Sequence, residues 1–166
     1  KKRCSDEFSF YRRPSIDWCI TLLSGYDNIT YSQASGECQE YGSEFSGVAS
    51  SREVAGLVYK LKLAREYFNV TSLYWFANAQ RTTECQAMPT TEKCMSIEGF
   101  NTTDKGIQNL DGYQFMTDAS AGATTGKQCL VMLGDGVNDG KMDFVECESN
   151  FPFPIRGVIC GHKAFS

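Results

Sequence analysis

Hydrophobic residues recur along this chain in two rhythms. In "NITYSQASGECQEYGSEF" Tyr31, Ala34, Cys38 and Tyr41 fall three or four positions apart. With Thr30 placed as an N-cap and Gly42 as a stop, the spacing predicts an amphipathic helix of about three turns. "SSREVAGLVYKLKLAREYF" keeps the rhythm for longer: Val54, Leu57, Val58, Leu61 and Phe68 mark one apolar face, and Ser50 and Glu53 have capping-box spacing. Lys60, Lys62 and Arg65 read as the solvated face of that helix. Elsewhere the period shortens. "FYRRPSIDWCITLLS" reads as a hairpin, "LYWFANAQR" as a strand, and "QCLVML", "KMDFVEC" and "IRGVICGHK" as three short closing strands. Between 82 and 127 Thr, Asn, Gly and Asp dominate and apolar anchors are few, so long loops are expected there. Without a repeat or a linker, the chain reads as one α+β domain over 1–166, with an amino-terminal hairpin over 1–24 and a loop region over 82–127.

Composition narrows the class. Hydrophobic residues make up 42% and aromatic residues 13% of 166, enough for a real core. The net charge of -4 carries no run of one sign, so the basic footprint that nucleic acid requires is missing. No apolar stretch approaches the roughly 20 residues that span a bilayer, and direct membrane insertion is not expected. The first residues, "KKRCSDEF", do not form a signal peptide, so the reading is a soluble chain from which the signal peptide has been removed.

Eight cysteines without C-x-x-C pairs, beside a single histidine, His162, favour disulfides over zinc. Eight cysteines allow 105 pairings, among which spacing alone does not choose. Sequons at Asn28, Asn69 and Asn101 agree with export, and together these features read as a secreted extracellular glycoprotein.

Catalytic patterns are scarce. No G-x-S-x-G elbow is present, His162 has no identifiable nucleophile beside it and reads as a surface residue, and "AGATTGKQ" is one position short of a phosphate loop. The chain is therefore not expected to be an enzyme. "GDGVNDGKMDFVEC" puts Asp135, Asp139, Gly140, Asp143 and Glu146 at EF-hand positions, but Val137 stands where an oxygen ligand belongs and the flanks read as strands. The EF-hand reading fails on those flanks.

These segments together resemble the C-type lectin-like domain in its long form, over essentially the whole chain. The matching features are Cys4 and Cys19, the cysteine of "YSQASGECQEYGSEF", the helix after "GVASSREV", "YWFANAQR", "QCLVML", "DGKMDFVEC" and "RGVICGHK". "AQRTTEC" with Cys94 nine residues on, "CLVM" and "RGVICGHKA" are most similar to secreted nematode members. The resemblance implies two helices packed on small antiparallel sheets with a long loop region and four disulfides. It further implies the pairs Cys38–Cys160, Cys129–Cys147, Cys4–Cys19 and Cys85–Cys94.

Sugar-binding members hold calcium with a Glu-Pro-Asn or Gln-Pro-Asp triplet in the long loop and with a Trp-Asn-Asp triplet before the third core cysteine. Here proline occurs only at 14, 89, 152 and 154, and Met142, Asp143 and Phe144 stand in place of the second triplet. This holds whether "FNTTD" at 100–104 or "FMTDAS" at 115–120 is the strand before the loop, the first giving a loop of ordinary length. The sequence motifs for calcium are thus absent and no cofactor is required; a different Ca²⁺ site would draw on Asp118, Asp135, Asp139, Asp143 and Glu146. The leading expectation is a calcium-independent, non-catalytic module that binds an extracellular protein or glycan. A divergent Ca²⁺-dependent carbohydrate-binding lectin and a structural or inhibitory module are the alternatives. Tyr113 and Phe115 are candidate contact aromatics, with packing inside the loop as the competing role. A glycan on Asn101 would stand beside the ligand loop and favour protein contact elsewhere.

Overall fold

The computed structural model describes residues 1–25 and 27–166. Helix α1, Tyr31–Glu40, begins at Thr30, whose backbone N–H is taken by the Gln33 side chain, and buries Ala34 and Cys38. Helix α2, Ser51–Phe68, follows Ser50, whose Oγ accepts the Glu53 N–H at 3.2 Å and satisfies an amide with no partner inside the helix. Leu57 and Leu61 face the core, with Val54 and Val58 packed at its margin. Phe68, expected on that face, is 38% exposed: as the last helical residue it overreaches the core and lies over Gly25, beside Tyr67. Asn69 then turns the chain in the left-handed region at φ 52°.

The strands are β1 Ser9–Arg12, β2 Asp17–Ser24, β3 Glu44–Phe45, β4 Leu73–Arg81, β5 Phe100–Asn101, β6 Cys129–Gly134, β7 Met142–Val145 and β8 Gly157–Lys163. Separate small sheets were expected; the strands instead join in one eight-stranded sheet of order β1-β2-β8-β4-β6-β7, with β3 on β8 and β5 on β4. The join is a two-residue parallel pairing, Trp75 with Gly157 and Phe76 with Val158, while the other named pairs are antiparallel. Gly157 makes it possible, because a Cβ there would stand 2.1 Å from Trp75 Cδ1; Gly161 leaves the same room for Trp18. One face of the sheet packs with α2 and the loop region; the other, which carries Phe45 and Val131, packs with α1 and Ile155.

A third helix, α3, Thr83–Ala87, stands where only loop was expected. Thr82 caps it through the Cys85 N–H, and the Cys85–Cys94 bond fixes its position. Five residues are too few to show a helical period. The other disulfides are Cys4–Cys19, Cys38–Cys160 and Cys129–Cys147, so the four pairs are those that the resemblance implies. Cys38–Cys160 spans 122 residues and ties α1 to β8; in the chain-entropy model such a closure contributes about 5 kcal/mol.

The polar residues hold the larger departure. Arg13, in the turn between β1 and β2, is buried with Glu53 and Asp104, each side chain 1% exposed. Its Nε and one terminal nitrogen donate to Glu53 at 2.9 and 2.8 Å, and the other terminal nitrogen donates to both Asp104 oxygens at 2.8 and 3.0 Å. Asp104 also accepts from Ser46 Oγ and from the backbone N–H groups of Gly47 and Gly106. Ser50 and Glu53 therefore form only half a capping box, since the Glu53 carboxylate turns to Arg13 and the Ala49 N–H. Burial by itself lowers the Arg13 pKa, and the bonds and charges of Glu53 and Asp104 outweigh it, leaving the guanidinium more firmly protonated than usual.

Removing one member of a buried ion pair leaves an uncompensated charge, whereas an exposed pair contributes little. Arg13→Met is expected to cost about 3–5 kcal/mol in denaturant unfolding with disulfides intact. Arg12→Ala, whose side chain is 81% exposed and stands 3.6 Å from Asp17, is expected to cost under about 1 kcal/mol. Equal effects would contradict the buried-charge account.

Candidate ligand-binding surface

Segment 102–128 has little regular structure, so its shape comes from what lies beneath it. Asp104 anchors its start in the Arg13 cluster. Tyr113 and Phe115, the candidate contact aromatics, point inward. Tyr113 is buried, its hydroxyl accepts the Val48 N–H at 3.3 Å, and burial pushes its ionisation above the usual tyrosine range. Phe115 stacks between Tyr113 and Phe144, with Phe100 alongside. Met116 N–H donates to Met142 O and Met142 N–H to Gln114 O, stitching the loop to the edge strand β7. As contact residues these two aromatics are corrected: they are the loop's own core.

At the centre lies Arg81, buried at the end of β4. Its guanidinium rests 4.3 Å over the Phe144 ring, a cation–π arrangement, and donates at 2.7 Å to both Ala119 O and Ala121 O. Burial lowers its pKa, partly offset by the charge of Asp118. The sequence reading missed Arg81, although a signal exists: Leu73, Trp75, Ala77 and Ala79 alternate onto the inner face of β4, and Arg81 is next in that register.

The candidate calcium ligands do not converge. Asp118 is held by Ser120 through its hydroxyl and its N–H, which keeps the carboxyl below its usual range. Asp135 accepts the N–H groups of Asn138 and Val137 in the turn between β6 and β7, with the same effect. Asp139, in that turn, is bound by Arg65 at 2.5 and 2.9 Å. Asp143 accepts the Phe144 N–H from mid-strand in β7, and Glu146 lies past its end, near Gly126. Among the described residues no three His, Cys, Asp or Glu side chains are grouped to hold a metal ion. Adjacency in sequence placed these acids together; the hairpin and the loop separate them.

Other expectations change as well. Arg65 leaves the solvated face of α2 for Asp139, and Lys60 donates to Glu7 O and Thr21 Oγ1. His162, read as a surface residue, is buried between Phe8 and Phe165, its Nε2 accepting the Ser5 N–H at 3.2 Å. The three sequon asparagines are all exposed. Strand β5 lies at Phe100–Asn101, which places the loop after "FNTTD". Its outward face carries Gln108, Asn109, Asp111, Gln114 and Met116.

Hydrogen bonding by Arg65, above all, holds the Asp139 carboxyl below its usual range. A depressed carboxylate contributes stability above its unfolded pKa of about 4, and that contribution is lost as pH falls through the folded value. Asp139→Asn should lower the thermal midpoint at pH 7 by about 2–4 °C per kcal/mol lost, with the gap to the parent narrowing below about pH 4. A gap that ignores pH would contradict the ion pair.

No protein-family model matches the chain, and no curated protein sequence matches it. Solved structures do. The C-type carbohydrate-recognition domain of cow CD23, determined with a GlcNAc2Man3 oligosaccharide, superposes with a TM-score of 0.63 at 15% identity, covering 100% of both chains. A calcium-independent type II antifreeze protein gives 0.60 at 14%, covering 99% of this chain and 98% of that one. The Ca²⁺-independent C-type lectin SPL-2 from Saxidomus purpuratus gives 0.53 at 14%, covering 96% and 93%. The chain has the C-type lectin-like fold.

Proposed function

We propose that this chain is a single extracellular, non-catalytic recognition domain that binds a protein or glycan through the outer face of segment 102–128 without calcium. The observation that carries this reading is Arg81. A cation supplied by the chain itself gathers the Ala119 and Ala121 carbonyls above an aromatic stack, so the loop needs no bound ion to hold its shape. Ordering the loop in advance lowers the entropy lost when a ligand binds. Four disulfides and three exposed sequon asparagines support an extracellular site of action. Asn101 stands on β5 at the loop's base, so a glycan there would border the surface and favour a protein ligand on the far side.

The glycosylated protein, screened against a glycan array and a panel of extracellular proteins, should keep its ligand in EDTA. Gln108→Ala and Gln114→Ala should together weaken that binding about tenfold, roughly 1.4 kcal/mol, with an unchanged thermal midpoint. Binding that needs millimolar Ca²⁺ and is lost in Asp135→Asn would support a divergent calcium-dependent lectin instead.

A further inference from the structure

Helix α2 has a second apolar stripe, pointing away from the core. Tyr59 is 68%, Leu63 48% and Tyr67 83% exposed, an unusual concentration of large apolar side chains in water. With α2 advancing about 100° per residue, Arg52, Ala55, Leu63 and Glu66 all lie within about 40° of Tyr59 on the solvent side. Their order is symmetric about Tyr59. Arg52 and Glu66 stand equally far to either side of it, and so do Ala55 and Leu63. Arg52 and Glu66 are both exposed, and among the described residues neither takes part in an ion pair.

The geometry points to a second copy of this chain as the occupant of this face. In a two-fold dimer with the two α2 helices antiparallel, Tyr59 meets Tyr59 across the axis and Leu63 lies beside Ala55. Arg52 of each copy faces Glu66 of the other, so the contact closes with two charge pairs. Tyr67, beyond the last of these, falls over the start of the second copy's α2. There a hollow of about 310 Å³ is lined by Phe10, Tyr11, Arg12, Ser50 and Arg52. Tyr11 shapes that side, its hydroxyl filling the space a side chain at Gly56 would occupy. Asn69 borders the opposite flank in a hollow lined also by Lys62, Arg65 and Glu66, so a glycan on it stands beside Glu66 and leaves the Leu63 and Tyr67 side open. Such a dimer presents two recognition loops in one particle and raises avidity for repeated ligands.

Sedimentation equilibrium of the secreted, glycosylated chain from low to high micromolar concentration tests this. The mass should rise from one copy, an 18.5 kDa polypeptide plus glycan, towards two. R52E and E66R alone should each weaken association about tenfold by setting like charges against each other, and R52E/E66R together should restore it. All these positions are exposed, so thermal midpoints measured at concentrations where the chain is a single copy should not move. A single-copy mass throughout, a dimer indifferent to both reversals, or a double reversal that fails to restore association would each overturn the proposal.

Discussion

A fully buried guanidinium leaves the surrounding chain little freedom. Arg13 loses its hydration when the fold closes, and Glu53 and Asp104, helped by the Gly47 carbonyl and the Trp18 ring, offset that loss. The two carboxylates belong to parts of the chain far apart in sequence, the first turn of α2 and the start of the long loop. Each is fixed further by backbone donors, Ala49 N–H on Glu53 and the Gly47 and Gly106 N–H groups on Asp104. The amino-terminal hairpin, the segment entering α2, the helix itself and the loop must therefore arrive at one point. Hydrophobic burial supplies most of the stability but sets no direction; these bonds set the direction in which the loop leaves the sheet.

Arg81 works by the same physics at the other end of that loop, with different partners. Among the described residues it pairs with no carboxylate; two carbonyls and the face of Phe144 receive its terminal nitrogens and ring-facing plane, while its buried Nε makes no hydrogen bond. The loop is therefore attached twice to internal cations, with the Phe100, Tyr113, Phe115 and Phe144 rings filling the space between. Arg65 performs the third such task by drawing Asp139 and its turn against α2. A carboxylate engaged in this way is less available to a metal, which links the stability of the domain to the chemistry its surface can offer.

Much of this was legible in the sequence, and the pattern of success follows the range of each interaction. α1 and α2 were readable because period, cap and stop lie within a few residues of one another, and the strands because alternation is local. The disulfide scheme came from resemblance, not spacing. What escaped depends on distant partners. Glu53 has the spacing of a capping residue and serves Arg13 instead; Tyr113 and Phe115 lie in polar sequence and pack inward because Val48 and Phe144 come to meet them. The acids from 118 to 146 are close in sequence but divided by a tight turn and a strand. The single sheet rests on a two-residue parallel pairing that no local pattern marks.

Amide hydrogen exchange over 104–121, followed by mass spectrometry in EDTA, reports directly on whether the chain's own cations order the loop. The account predicts slow exchange at Ile107, Tyr113, Met116 and Ala121, whose N–H groups are bonded within the loop or to β7, and no change on adding millimolar Ca²⁺. In Arg81→Met the segment around Ala119 and Ala121 should lose protection while the Asp104 end keeps it. Rapid exchange in EDTA that slows when Ca²⁺ is added would contradict it, and would return the ordering of this loop to a bound ion.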